Sequence, residues 1–243
     1  MLSLGVLVLI GAVSGVLSVR LAQSYIYKLA QGACPDQLTF LLALRSAVTG
    51  MLGYTDAQGV LLANRQLIFL GAAVAMAMAV PTLHWHAGLS VYFVALVVAA
   101  FMLLTLTLID AACGLLPDAL TLPLLWVGLA LAWAGYGPGV SDALAGAMLG
   151  YGLPWTVFFV YKCARLGHGM GHGDFKLLAG LGAWLGWQAV APTLLIASIG
   201  LVVFAMWRQK TWLPVGAYPF GPCLNVSAVG VFVTGSGVHS WFI

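Results

Sequence analysis

Apolar residues fill this chain in long runs, and nearly all of its charge is confined to the short stretches between them. A run of ~20 apolar residues has the length of a membrane-crossing helix. Such runs predict spans at about 1–19, 66–83, 88–109, 119–136, 143–161, 175–190, 192–207 and 222–241. The sixth and the last are short or glycine-rich. The expected fold is an all-α, polytopic integral membrane protein of about eight transmembrane helices.

The largest interruption runs from Arg20 to Arg65, yet Gln37 to Tyr54 is apolar apart from Arg45 and a few small polar residues. It reads as a cytosolic or interfacial loop carrying an amphipathic helix that lies along the membrane surface. A ninth, re-entrant or spanning segment is the competing reading. The expected organisation is thus 1–65, a first transmembrane helix plus this loop, followed by a membrane-embedded core over 66–243.

Charge fixes the orientation. With the N-terminus outside, all nine basic residues fall in or beside the inner segments 20–65, 110–118, 162–174 and 208–221, the asymmetry expected of cytosolic loops. No basic residue precedes the apolar run from Met1 to Val19, so that run predicts a first span rather than a cleaved leader. Composition agrees: 63% hydrophobic and 6% charged residues and a mean hydropathy of +1.06 leave no polar surface for a soluble globule. The lipid bilayer is the expected surrounding, and no nucleic-acid partner is expected. The four cysteines contain no C-x-x-C pair, so a zinc ribbon is not supported.

Against this background Gly167 to Leu178, G-H-G-M-G-H-G-D-F-K-L-L, stands apart. His168, His172, Asp174 and Lys176, with Arg165 just before, sit among four glycines between two apolar runs. Ionisable groups near membrane depth mark functional sites by default. Glutamate is absent, so carboxylate chemistry has six candidates, Asp36, Asp56, Asp110, Asp118, Asp142 and Asp174. Two predicted spans separate Asp110 from Asp174, which brings both to the same membrane face.

Two carboxylates at one face, on separate helix ends in a low-dielectric setting, are what an aspartyl protease needs. One takes a proton from water while the other donates to the scissile carbonyl oxygen. Asp110 is expected at a helix C-terminus and Asp174 at a helix N-terminus, so the helix-end charges assign Asp110 as acid and Asp174 as base. Gly171 and Gly173 would let the backbone bend tightly and bring a substrate strand close.

Simpler readings compete. Asp174 and Asp142 could be helix N-caps, and a capping role suits Asp118 at least as well as a catalytic one. His168 and His172 have the H-x-x-x-H spacing of a metal pair, but the intervening glycines oppose a helix there, and solvated loop histidines touching substrate are the default; no metal is expected. Trp184, Trp187, Trp207 and Trp212 flank span ends as an aromatic belt would. A small proton- or cation-coupled transporter using the Asp pair is the alternative function. Its site would lie near the midplane within repeated halves, whereas these aspartates sit at span ends and no internal repeat is visible.

The residues also carry a resemblance. G-M-G-H-G-D-F-K-L-L, together with L-I-D, seven residues, then D-A-L-T-L-P-L-L-W with L-L-P before the second Asp, resembles the type IV prepilin peptidases, the bacterial branch of the GxGD intramembrane aspartyl proteases. The turn Pro219-Phe220-Gly221-Pro222 matches as well. The similarity covers roughly Leu106 to Pro222. It implies catalytic roles for Asp110 and Asp174, and motif roles or substrate contact for Gly171, Gly173, Lys176, Asp118 and His172. The implied reaction removes the short basic leader of prepilins or pseudopilins at the cytosolic face of the bacterial inner membrane, feeding type IV pili or type II secretion. No cofactor is implied for proteolysis. The front of the chain departs from the family: the first loop holds one cysteine, Cys34, where many members have two C-x-x-C pairs, and Ser18 stands where asparagine is usual. That departure tells against methylation of the product, and S-adenosylmethionine is expected only if the methyltransferase activity is retained.

Overall fold

The computed structural model describes residues 3–49, 65–163, 171–212, 216 and 218–235. Among them it has nine helices and no strand: α1 (Leu4–Ala30), α2 (Gln37–Thr49), α3 (Arg65–Ala87), α4 (Val91–Cys113), α5 (Asp118–Trp133), α6 (Val140–Cys163), α7 (His172–Leu185), α8 (Trp187–Gln209) and α9 (Gly221–Gly235). Helices α1, α3, α4, α6 and α8 contain stretches long and apolar enough to cross a membrane. The protein is an all-α, multi-pass membrane protein. Many of its serine and threonine hydroxyls donate back to carbonyls three or four residues earlier, as from Ser18 to Ser14, Thr105 to Phe101, Thr156 to Gly152 and Ser198 to Leu194. That pattern keeps polar groups satisfied where lipid offers no partner.

Two compact units divide after Cys113. In the first, α3 and α4 group with α1. Gly11 and Gly15, spaced G-x-x-x-G, press α1 against the α3 backbone: a Cβ on Gly11 would meet the Met76 carbonyl oxygen and one on Gly15 that of Ala72. Such small-residue faces let helices approach backbone to backbone. The residue numbers run in opposite directions, so α1 and α3 are antiparallel. The connection that holds α2 therefore returns the chain to the end it left. At 13 residues, α2 reaches only ~20 Å, short of the ~30 Å hydrocarbon core. It packs on α1 through Phe40, whose ring meets Tyr25 edge-on at 5.9 Å.

Several expected boundaries are corrected. Helix α1 does not stop at Val19 but continues through Arg20 to Ala30, with Leu21 to Ile26 all buried; a single arginine does not end a helix whose next residues have packing partners. The junction expected near residue 191 lies at Gly186, which adopts φ +84°, a conformation that favours glycine. Pro192 is the sixth residue of α8 and removes one intrahelical N–H donor near its start. The last helix is described to Gly235, and the rest of the expected span 222–241 lies outside the described residues, as does 50–64 of the first loop.

At the start of α2 the Thr39 N–H donates to Asp36 Oδ1 at 2.9 Å, an N-cap that holds the Asp36 carboxyl below the usual carboxylate range. A lowered folded value means the cap's contribution is present above the unfolded value of ~3.9 and lost as pH falls through the folded one. Hydrogen exchange at the Thr39 amide should accelerate as pH drops through that window, after correction for intrinsic rates, and Asp36→Ala should produce the same loss at neutral pH.

The second unit depends on a similar glycine face. Gly146 and Gly150 on α6 meet α7 so closely that a Cβ on Gly146 would strike the Gly182 carbonyl oxygen, and one on Gly150 would lie 2.8 Å from Ala179 Cα. Gly146→Leu should lower the thermal midpoint of the detergent-solubilised protein by the equivalent of about 3 kcal/mol, whereas Gly5→Leu, into open space, should stay within about 0.5 kcal/mol.

Candidate active site

In the second unit α5 and α7 lie side by side and parallel. Their contacts climb together: Leu116 faces Gly173, Leu124 faces Gly180, and Trp184 faces Gly128. Trp184 is buried and its Nε1–H donates to the Leu124 carbonyl at 2.8 Å. It therefore belongs to the core of this interface and not to an aromatic belt. Trp187, Trp207 and Trp212 are exposed. The helix between, α6, runs antiparallel to α7, since Gly146 meets Gly182 while Gly150 meets Ala179. The N-termini of α5 and α7 consequently share one end of the unit, and that end carries the unusual motif.

Helix α7 begins at His172 with Gly171 as its N-cap, and Asp174 sits in the first turn with its N–H on the Gly171 carbonyl at 3.1 Å. Asp174 is not the cap. It is 8% exposed, a carboxylate near the open N–H groups of a helix start, where negative charge is favoured. Gly171 has φ −69° and neither it nor Gly173 uses a positive φ. What Gly173 supplies is space: a Cβ there would lie 2.9 Å from Leu116 Cβ.

Lys176, two residues after Asp174, donates from Nζ to both oxygens of Asp118, at 2.6 and 2.7 Å. Asp118 is in the first turn of α5, whose N-cap is Pro117, so its carboxylate pairs with another helix instead of capping its own. The two side chains are 30% and 49% exposed, and a pair so accessible adds about 1 kcal/mol or less to stability. His172 lies on an aromatic wall, with its ring centroid 5.1 Å from Phe158 and 5.4 Å from Phe175. Tyr151 meets Phe175 edge-on at 6.0 Å. Tyr151 and Phe158, seven residues apart on α6, were not among the expected site residues; two turns of helical spacing was the signal that could have found them.

Asp110 belongs to the first unit. It is in the last turn of α4 and is 4% exposed, so the expected placement at a helix C-terminus holds. Asp142 is in the first turn of α6. His168 and Arg165 lie outside the described residues. Among the described residues no cluster of three or more His, Cys, Asp or Glu side chains could hold a metal ion.

Residues 97–206 match the type IV leader peptidase family, a stretch that takes in Asp110, Asp118 and all of α5 to α7. Three relatives are each named prepilin leader peptidase/N-methyltransferase. The one from Stutzerimonas stutzeri is 38% identical over 164 residues, 65% of this chain and 56% of its own length. That from Pseudomonas aeruginosa is 41% identical over 148 residues, 59% and 50% of the two chains. That from Pectobacterium carotovorum subsp. carotovorum is 43% identical over 157 residues, 62% and 54%. No solved structure matches. The matched segment is similar to the type IV leader peptidase family, which bears out the resemblance read from its motifs. The chain spans about half the length of the curated relatives it matches.

Gly173→Ala should destabilise the protein by about 2 kcal/mol through the clash with Leu116. In a Leu116→Gly background, which removes the Cβ that the new methyl would meet, the same change should cost much less, a non-additivity that thermal unfolding of the four proteins would measure.

Proposed function

We propose that the protein is a membrane aspartyl endopeptidase that removes the leader peptide of type IV prepilins or pseudopilins at the cytosolic face of the bacterial inner membrane. The observation that carries this reading is the burial of Asp174 in the first turn of α7, inside a segment similar to the type IV leader peptidases. Asp110, buried in the last turn of α4 within the same matched segment, is its partner in the reaction.

Asp174, beside the open N–H groups of α7, acts as the base, and Asp110, beside the C-terminal carbonyls of α4, as the acid. Asp174 takes a proton from a water molecule whose oxygen attacks the scissile carbonyl carbon, while Asp110 gives its proton to the carbonyl oxygen. The tetrahedral diol then breaks the C–N bond. A diol hydroxyl returns its proton to Asp110, and Asp174 passes the proton it took from water to the leaving amine. Both carboxyls end as they began. Proteolysis needs no cofactor. The single cysteine of the first loop and Ser18 argue against methyl transfer, and S-adenosylmethionine would serve only a retained methyltransferase activity.

Co-expression with a prepilin, read as a size shift on a gel and by the mass of the product, tests the reading. Wild type and Asp118→Asn should yield processed product with an unmethylated N-terminus, while Asp110→Asn and Asp174→Asn should reduce cleavage by about 10³-fold or more. Full processing by either of the latter two would exclude the aspartyl mechanism.

A further inference from the structure

The contact between Lys176 and Asp118 is not accounted for by stability or by helix chemistry. Lys176 lies at the start of the second turn of α7, beyond the first turn in which the helix-end field acts on charges. Asp118 is where a carboxylate is favoured, yet its oxygens are given to the other helix at 2.6 and 2.7 Å. Neither helix start has a side-chain cap: Gly171 and Pro117 make no capping hydrogen bond from their side chains. An uncapped start with unsatisfied N–H groups is the part of a helix that frays first. Further along, the tight contacts of Gly180 and Gly128 and the Trp184 hydrogen bond hold α5 and α7 in register. At the N-terminal end Leu116 meets Gly173 and this ion pair joins the two helices.

We propose that Lys176 and Asp118 are positioning residues. Their pair clamps α7, just past its first turn, to the first turn of α5 and so fixes the height at which Asp174 is presented. The inference rests on the peptidase reading and deepens it. A displacement of ~1 Å at a catalytic group can cost about 10²-fold in rate. The clamp acts on the geometry of the reacting carboxylate, so its loss appears in kcat. The pair is bidentate and partly exposed, and neither partner has to touch the substrate for the clamp to work.

The test uses the full chain in proteoliposomes and a synthetic prepilin leader peptide. Lys176→Met and Asp118→Asn should each lower kcat about tenfold with KM within about twofold of wild type, and the exchange Asp118→Lys with Lys176→Asp should restore most of the loss. Amide exchange over 172–176 should quicken in both single variants and slow again in the exchanged protein. The exchange also guards against single variants that fold poorly. Single variants with wild-type kcat would overturn the clamp, and so would a change confined to KM, which would make Lys176 or Asp118 a substrate contact. An exchanged protein that is folded, has slow exchange over 172–176 and yet stays slow in catalysis would overturn it too. Absence of cleavage by the wild type would instead overturn the peptidase reading, and the clamp with it.

Discussion

Backbone-to-backbone contact at glycine is the constraint on which the second unit depends. Helix α7 is only 14 residues long, too short for its own hydrogen bonds to stabilise it, and residues 177–183 along it are all buried. It holds its place because Gly146 and Gly150 let α6 touch its backbone, while Gly128 accepts the Trp184 indole and Gly180 accepts Leu124. Lipid tails are as apolar as the side chains they meet, so the hydrophobic effect adds little here and close packing has to supply the attraction. A short, fully packed helix whose first turn carries a buried carboxylate follows from those contacts.

The same contacts determine which way the chemistry faces. Parallel packing of α5 and α7 puts Asp118, Asp174, Lys176 and His172 at one end of the unit, with α6 antiparallel to α7. The site end combines a buried carboxylate with a half-exposed ion pair and an aromatic wall of Tyr151, Phe158 and Phe175. The proposed reaction needs the first to be shielded, since low dielectric strengthens each charge interaction. The ion pair can stay near water because its task is geometric.

Much of this was legible in the chain itself. Apolar run length located the five helices long enough to cross a bilayer; counting crossings put Asp110 and Asp174 at one membrane face, and the parallel packing of α5 and α7 puts their starts at one end of the second unit. Asp174 and Asp110 were readable as helix-end carboxylates from their position beside apolar runs. Contacts between distant residues were not readable. Lys176 and Asp118 are 58 positions apart, and no local pattern distinguishes a clamp from a cap. Trp184 looked like a belt residue because a span-end tryptophan has the same local sequence whether its indole meets a headgroup or the Leu124 carbonyl. The continuation of α1 past Arg20 was hidden for a related reason: Gln23 and Ser24 look like loop residues until their burial is seen.

The central claim is that Asp110 and Asp174 act as one pair on a single carbonyl group. It is tested most directly with a leader peptide whose scissile carbonyl is replaced by a secondary alcohol, a mimic of the tetrahedral diol. A pair that shares the stabilisation of that diol should make wild type bind the alcohol at least about 10²-fold more tightly than the parent peptide, a preference that Asp110→Asn and Asp174→Asn each remove. Equal affinity for alcohol and parent peptide in the wild type, or a preference that survives in either variant, would contradict the pairing of the two aspartates.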